Sequence, residues 1–144
     1  MPLPPRHRRC EKTSGRFPYV ETDLTMDRPC AIVWDLLTDT TQWPHWGPSV
    51  RMVRSSHRYI RLGSTGHVLT ALGVWVPFVI TEMIHGRSWS WKVLGIPATG
   101  HRVDPIGGNG CRLVFQIPFF GAPYILVCRM ALLRISRVLE NGHP

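Results

Sequence analysis

The chain has no apolar run of the ~20 residues that a bilayer-spanning helix needs. Its longest uncharged stretch, Val114–Cys128, is broken by Pro118, Gly121 and Pro123. There is no CxxC pair and no cysteine–histidine cluster with zinc spacing. The cysteines, Cys10, Cys30, Cys111 and Cys128, lie far apart. Cys30, Cys111 and Cys128 therefore read as buried thiols serving as small hydrophobes, and no metal or other cofactor is expected. Met1 to Arg16 holds charge and proline but no apolar core, so it does not read as a signal peptide. These features fit a reducing cytoplasm without stable membrane insertion. No internal repeat is visible.

Also missing is a basic stripe. The formal net charge is +8, yet half of that excess lies in residues 1–16, which carry Arg6, Arg8, Arg9, Lys12 and Arg16 against Glu11. The rest is scattered as single arginines. A nucleic-acid partner, which calls for a basic face, is not expected. Residues 1–16 read as a basic disordered tail and residues 17–144 as one domain. With 144 residues, 44% of them hydrophobic, the chain is long enough for one real core. Six tryptophans are a heavy load, because each buried indole N–H needs an acceptor.

Alternation at Val20–Met26 predicts a half-buried strand with Val20, Thr22, Leu24 and Met26 on one face. Asp27 is positioned to cap a helix with Pro29 in its first turn. That helix would present Ile32, Val33, Leu36 and Leu37. A second short helix fits at Thr40–Pro48, around Trp43, Pro44 and Trp46. Strands are expected at Val50–His57, up to about Leu72, at Val74–Ile84, Ser88–Val93, Thr99–Pro105 and Cys111–Ile117. Pro77 suggests an edge or a bulge, and Gly107-Gly108-Asn109-Gly110 a hairpin turn. A helix from about Ala122 to Leu139 carries Tyr124, Ile125, Cys128, Ala131, Leu132, Ile135, Val138 and Leu139 on one apolar face. The order is strand, two short helices, about six strands, one long helix. That is an α+β fold in which a curled antiparallel sheet grips the terminal helix.

Pro29-Cys30-Ala31-Ile32-Val33-Trp34-Asp35-Leu36-Leu37-Thr38-Asp39, followed by Trp43-Pro44-His45-Trp46, resembles the first-helix signature of the polyketide cyclase/dehydrase-like proteins. These belong to the START-like, Bet v 1-like superfamily, SRPBCC. Gly63-Ser64-Thr65-Gly66, Val74-Trp75-Val76-Pro77-Phe78 and Trp89-Ser90-Trp91 are similar as well. The resemblance covers about Phe17 to Glu140. It implies a helix-grip fold with a seven-stranded antiparallel sheet and an apolar cavity for lipids, sterols, polyketides or aromatic metabolites. It carries over no catalytic residue, because the family has no shared catalytic motif.

The candidate ligand-binding residues are Trp43, Trp46, Trp75, Phe78, Trp89, Trp91, His101, Phe115, Tyr124 and Cys128. The tryptophans either line a cavity or fill an aromatic core. His101 shares the face of Val103. It is either a proton acceptor for a ligand or a core histidine satisfied by its surroundings. Glu82 shares the parity of Phe78 and Ile80. If that face is inward, Glu82 is a buried carboxylate able to act as a general base. If a bulge at Pro77 flips the parity, it is solvated. His67, Thr70 and Asp104 are weaker candidates. Leu126, Met130 and Leu133, on the exposed side of the last helix, are either partly buried against neighbouring strands, the reading preferred from the sequence, or a dimer or membrane-surface contact. Three functions follow: binding of a small hydrophobic molecule, a cyclase or dehydratase using His101 or Glu82, or an interaction module without a small ligand. The chain would act as a monomer or homodimer.

Overall fold

The computed structural model describes residues 19–118 and 125–141. The basic tail, Cys10 and Tyr124 lie outside the described residues. The elements are β1 (Tyr19–Met26), α1 (Cys30–Thr38), a 3₁₀ turn (Thr40–Gln42), α2 (Trp43–Trp46), β2 (Val50–Ser55), β3 (Thr65–Thr70), β4 (Trp75–Ile84), β5 (Ser88–Val93), β6 (Ile96–Ile106), β7 (Gly110–Pro118) and α3 (Ile125–Glu140). All strand pairs are antiparallel, in the order β1-β7-β6-β5-β4-β3-β2. Strands β2 to β7 follow one another as a meander. β1 joins β7, so the α1–α2 connection must carry the chain from one edge of the sheet to the other. This is the expected α+β helix-grip architecture.

The core lies between the inner face of the sheet and the helices. β7 contributes Leu113, Phe115 and Ile117, β4 contributes Phe78 and Ile80, α1 contributes Val33 and Leu37, and α3 contributes Cys128, Leu132 and Ile135. α3 is tied down at both ends: Arg129 donates to Thr22 Oγ1 of β1 (3.1 Å), and Arg28 donates to the Leu139 carbonyl (3.4 Å). The latter places a cation at the negative end of the helix.

The carbonyl end of α1 is closed completely. Thr38 Oγ1 donates to the Trp34 carbonyl, the Asp39 N–H to Asp35, Trp46 Nε1 to Leu36, Trp43 Nε1 to Leu37 and the Ile60 N–H to Thr38. Helix ends leave such carbonyls without intrahelical partners. Two of them are answered here by the indoles of the next helix.

Several expectations are corrected. Pro29, not Asp27, occupies the N-cap of α1, without a side-chain cap. Ile32 is 46% exposed and Trp34 takes its place on the buried face, so the face is rotated from the expected one. Val114 is fully buried on the outer face of β7. Its cross-strand neighbours there are Asp23 and Arg102, whose stems can shield it within a set of ion pairs. Cys30 is half-buried rather than buried. Pro77 lies in an interior strand and causes no bulge. Its carbonyl accepts from Leu94 N–H (3.0 Å) where β5 turns away through Leu94 and Gly95, both at positive φ, so its missing N–H costs little. Those two residues form a two-residue hairpin loop, and β6 accordingly begins at Ile96 rather than Thr99. The bulge in β4 falls at Thr81, between Ile80 and Glu82.

Asp39 locks the α1–α2 junction. Its carboxylate accepts from Thr41 N–H and Oγ1 and from Arg58 Nε and Nη2 at 2.6–3.2 Å. Burial alone would raise its pKa, but the Arg58 and Thr41 hydrogen bonds outweigh that and hold it below the ordinary carboxylate value. A lowered folded pKa contributes stability that is present above the unfolded value and lost as pH falls through the folded one. Asp39→Asn is expected to cost about 1–2 kcal/mol at pH 7. The difference from wild type, read from urea unfolding, should shrink as the pH drops below about 4. Gly66→Ala is expected to cost about 2–3 kcal/mol, read as a drop in Tm, because an added Cβ would meet the Arg54 carbonyl and the Phe78 ring.

Candidate functional site

The inner face of the sheet carries an aromatic cluster whose orientation is set from two sides. From α2, Trp43 and Trp46 point inward because their N–H groups are bound to α1. From the sheet, period-two alternation brings Phe78, Trp89, Trp91, His101 and Phe115 onto one face. Trp43 stacks on Trp89 with ring centroids 5.5 Å apart and planes 5° off parallel. Trp89 stacks on His101 at 3.8 Å, and Phe115 meets His101 edge-on at 4.9 Å. Trp91 and Phe78 close the group against Trp43 at 5.3 and 5.5 Å.

These rings fill most of the interior. What remains is a cavity of about 50 Å³ walled by Trp43, Trp46, Trp89, Trp91, His101 and Phe115, with Thr99, Cys128 and Ala131. That is room for a few water molecules. Outside it lies a groove of about 310 Å³ between Pro48 and Ser49, Ala71, and Leu126, Val127 and Met130 of α3. Pro48, Ser49 and Val127 line both spaces, so the groove is the mouth of the cavity. Of the two readings left open for the tryptophans, the filled aromatic core dominates, with a small cavity at its edge.

The polar groups of the cavity form a short relay. Trp91 Nε1 donates to Thr99 Oγ1 (3.0 Å). Thr99 Oγ1 lies 3.3 Å from His101 Nε2, and His101 Nδ1 lies 3.3 Å from the Trp89 carbonyl. A carbonyl can only accept, so Nδ1 carries the proton and Nε2 accepts from Thr99. Full burial pushes the His101 pKa down to about 3, against the raising effect of the Trp89 carbonyl. The imidazole is neutral at pH 7, and its one lone pair is engaged. Trp89 Nε1 differs from its neighbours. It is buried in a residue 1% exposed, with no hydrogen-bond partner among the described residues. Burial also pushes the Cys128 thiol up to about 11, so Cys128 is a neutral wall and not a nucleophile.

Of the candidates read from the sequence, Trp43, Trp46, Phe78, Trp89, Trp91, His101, Phe115 and Cys128 come together here. Trp75 does not. It has the opposite parity from Val76 and Phe78, and its ring lies under the Arg54 guanidinium at 4.7 Å on the outer face. Glu82 does not either. The bulge at Thr81 sets Glu82 opposite Ser90 and turns Met83 inward opposite Trp89. Thr99 was missed, although it shares the strand parity of His101, and so was the Gly47–Val50 segment at the mouth. Among the described residues no three or more His, Cys, Asp or Glu side chains are grouped to hold a metal ion, and no described helix is long and apolar enough to cross a membrane.

The sequence profile described as polyketide cyclase / dehydrase and lipid transport matches residues 19–137. The chain belongs to that family. The chain is also similar in fold to solved structures of low identity. One is the protein XoxI of Bacillus cereus, 13% identical with a TM-score of 0.66, over 88% of this chain and 99% of that one. Another is DR_A0006 of Deinococcus radiodurans, 20% identical with a TM-score of 0.64, over 87% and 99%. DynU16, a protein of the dynemicin biosynthetic locus, is 17% identical with a TM-score of 0.62, over 88% of this chain and 48% of that one. No curated protein matches the chain.

A buried neutral histidine makes stability pH-dependent in this family member. Its folded pKa is depressed, so the unfolded state takes up the extra proton below pH 6.5. Relative to His101→Phe, the wild type should lose stability from pH 6.5 toward pH 4, by at most about 1.4 kcal/mol per pH unit. Urea unfolding of both proteins across that range reads the slope.

Proposed function

We propose that the chain binds a small, largely apolar molecule that rests in the groove and brings one oxygen to the polar edge of the aromatic cavity. The observation that carries this reading is the Trp89 N–H, buried without an acceptor among the described residues, on a side chain that lines the cavity. An unmet buried donor costs about 1–3 kcal/mol, and a ligand carbonyl, hydroxyl or ether oxygen would relieve it. The groove volume sits at the lower end of small-molecule sites, roughly 300–1,000 Å³. Its walls are apolar apart from Ser49. Burial of ligand surface at roughly 25 cal/mol per Å² supplies the affinity, less the cost of association. The family description, which names polyketide chemistry and lipid transport, fits a ligand of this character.

Binding is favoured over proton transfer in a cyclase or dehydratase. A general base works best with a pKa near the operating pH, and that of His101 is near 3. Glu82 belongs to the other face of the sheet. With its proton given to His101 and one lone pair met by Trp91, Thr99 Oγ1 is better suited to accept one hydrogen bond from the ligand than the pair is to move a proton.

Titration with aromatic ketones, flavonoids and fatty acids, followed by tryptophan fluorescence, tests this. Oxygen-bearing aromatic ligands should quench or shift the emission. Trp89→Phe should weaken them by about 3–10-fold, the worth of one neutral hydrogen bond, and leave matched hydrocarbons unchanged. No response to any ligand, or equal weakening of both classes, would overturn the reading.

A further inference from the structure

The rim of the groove and the charge around it point to a second kind of contact. Between Asp39 and Glu82 the sequence contains no acidic residue, while Arg51, Arg54, Arg58 and Arg61 lie in that interval. All four are exposed. The interval comprises α2, β2, β3 and most of β4. Arg51 opens β2 after Pro48 and Ser49 of the groove and Arg54 lies over Trp75, which follows the β3–β4 turn, whereas Arg58 is paired with Asp39 and, with Arg61, sits in the β2–β3 connection at the other end of the strand. On the third wall, α3 carries Arg129, Arg134 and Arg137 and meets its only acid, Glu140, at its far end. The acids of β1 and β6 are neutralised on the outer face, where Glu21, Asp23 and Asp104 pair with Arg102, Arg112 and Arg87. No acid lines the groove, and the charges that follow its Pro48–Ser49 wall along the chain, Arg51 and Arg54, are both positive.

Large apolar side chains stand out from the same rim. Leu72, at the tip of the β3–β4 turn, is 91% exposed, and Leu126 is 73% exposed. Leu126, Met130 and Leu133 recur at helical spacing as one exposed stripe of α3. The turn is held beside the groove by the Ala71 N–H, which donates to the Ser49 carbonyl (3.1 Å). Protruding leucines among arginines, with no acid between them, match the boundary between lipid headgroups and acyl chains.

We infer that this face rests on an anionic lipid bilayer. Leu72, Leu126 and Met130 enter the headgroup boundary, and Arg51 and Arg54 lie among the lipid phosphates. The mouth of the cavity then faces the membrane. The inference goes beyond ligand binding in the cavity and does not depend on it.

Co-sedimentation of the full chain with lipid vesicles tests it. Vesicles of phosphatidylcholine containing phosphatidylserine should bind the protein, and pure phosphatidylcholine vesicles should not. Leu72→Asp and Leu126→Asp, both at exposed positions and with Tm unchanged, should each lower the partition at least about tenfold. Arg51→Ala should lower it about fivefold. Absence of binding to the anionic vesicles would overturn the inference. So would undiminished binding of the leucine variants, which would assign the attraction to basic residues elsewhere in the chain. A wild-type dimer in sedimentation velocity that Leu72→Asp dissociates would assign the face to self-association instead. Tryptophan titrations with the soluble ligands should be unaltered in Leu72→Asp and Arg51→Ala, which lie outside the lining of the groove, and this separates the result from the fate of the cavity reading.

Discussion

The carbonyl end of α1 is the constraint from which the interior follows. A helix that stops inside a domain must find donors for its last carbonyls or lose their hydration without return. Here two of those donors are indoles. Trp43 and Trp46 are therefore oriented by backbone hydrogen bonds at one end of each side chain and by ring contacts at the other. With Trp43 fixed, Trp89 has a parallel partner. With Trp89 fixed, His101 is covered on its face and loses access to water. The neutrality of that imidazole is thus a consequence several contacts removed from the helix end that starts the series.

Much of this was legible from residue order. Strict alternation in β1, β5 and β7 named the inward faces correctly, because a residue two places on always returns to the same side. The helical spacing of Cys128, Ala131, Leu132 and Ile135 named the buried stripe of α3. What was not legible lies in pairing between strands. Parity at Glu82 depends on whether Thr81 faces a partner on β5, and no local composition reports that. Pro77 looked like the site of disruption because it lacks an N–H. The neighbouring strand turns away just there, so nothing is disrupted. Trp75 looked like a cavity residue by type, yet its parity with Pro77 already excluded it. Thr99 shows the converse: its parity with His101 was visible, but a lone threonine carries no signal until the Trp91 indole is found against it.

The interior and the mouth divide the work. The interior is dense, aromatic and uncharged, with one indole donor unmet among the described residues. The mouth is wider, aliphatic and without an acid in its lining. A dense interior selects by shape and by a single hydrogen bond, since its rings sit close to their packing limit and yield little. The mouth discriminates less by shape and more by charge and apolar area. Family membership and shared fold leave the ligand open, because function resides in the site and not the scaffold.

The bulge in β4 has a bearing on how such a scaffold changes its chemistry over generations. Thr81 is one residue without an opposite number, and everything after it in the strand is out of phase with what precedes it. Were Thr81 instead paired with Ser90, alternation would run unbroken, the Glu82 carboxylate would fall opposite Trp89 among the indoles and Met83 would turn to the outer face. A carrier and an acid–base catalyst built on this sheet would then stand one step of register apart, with no new side chain required.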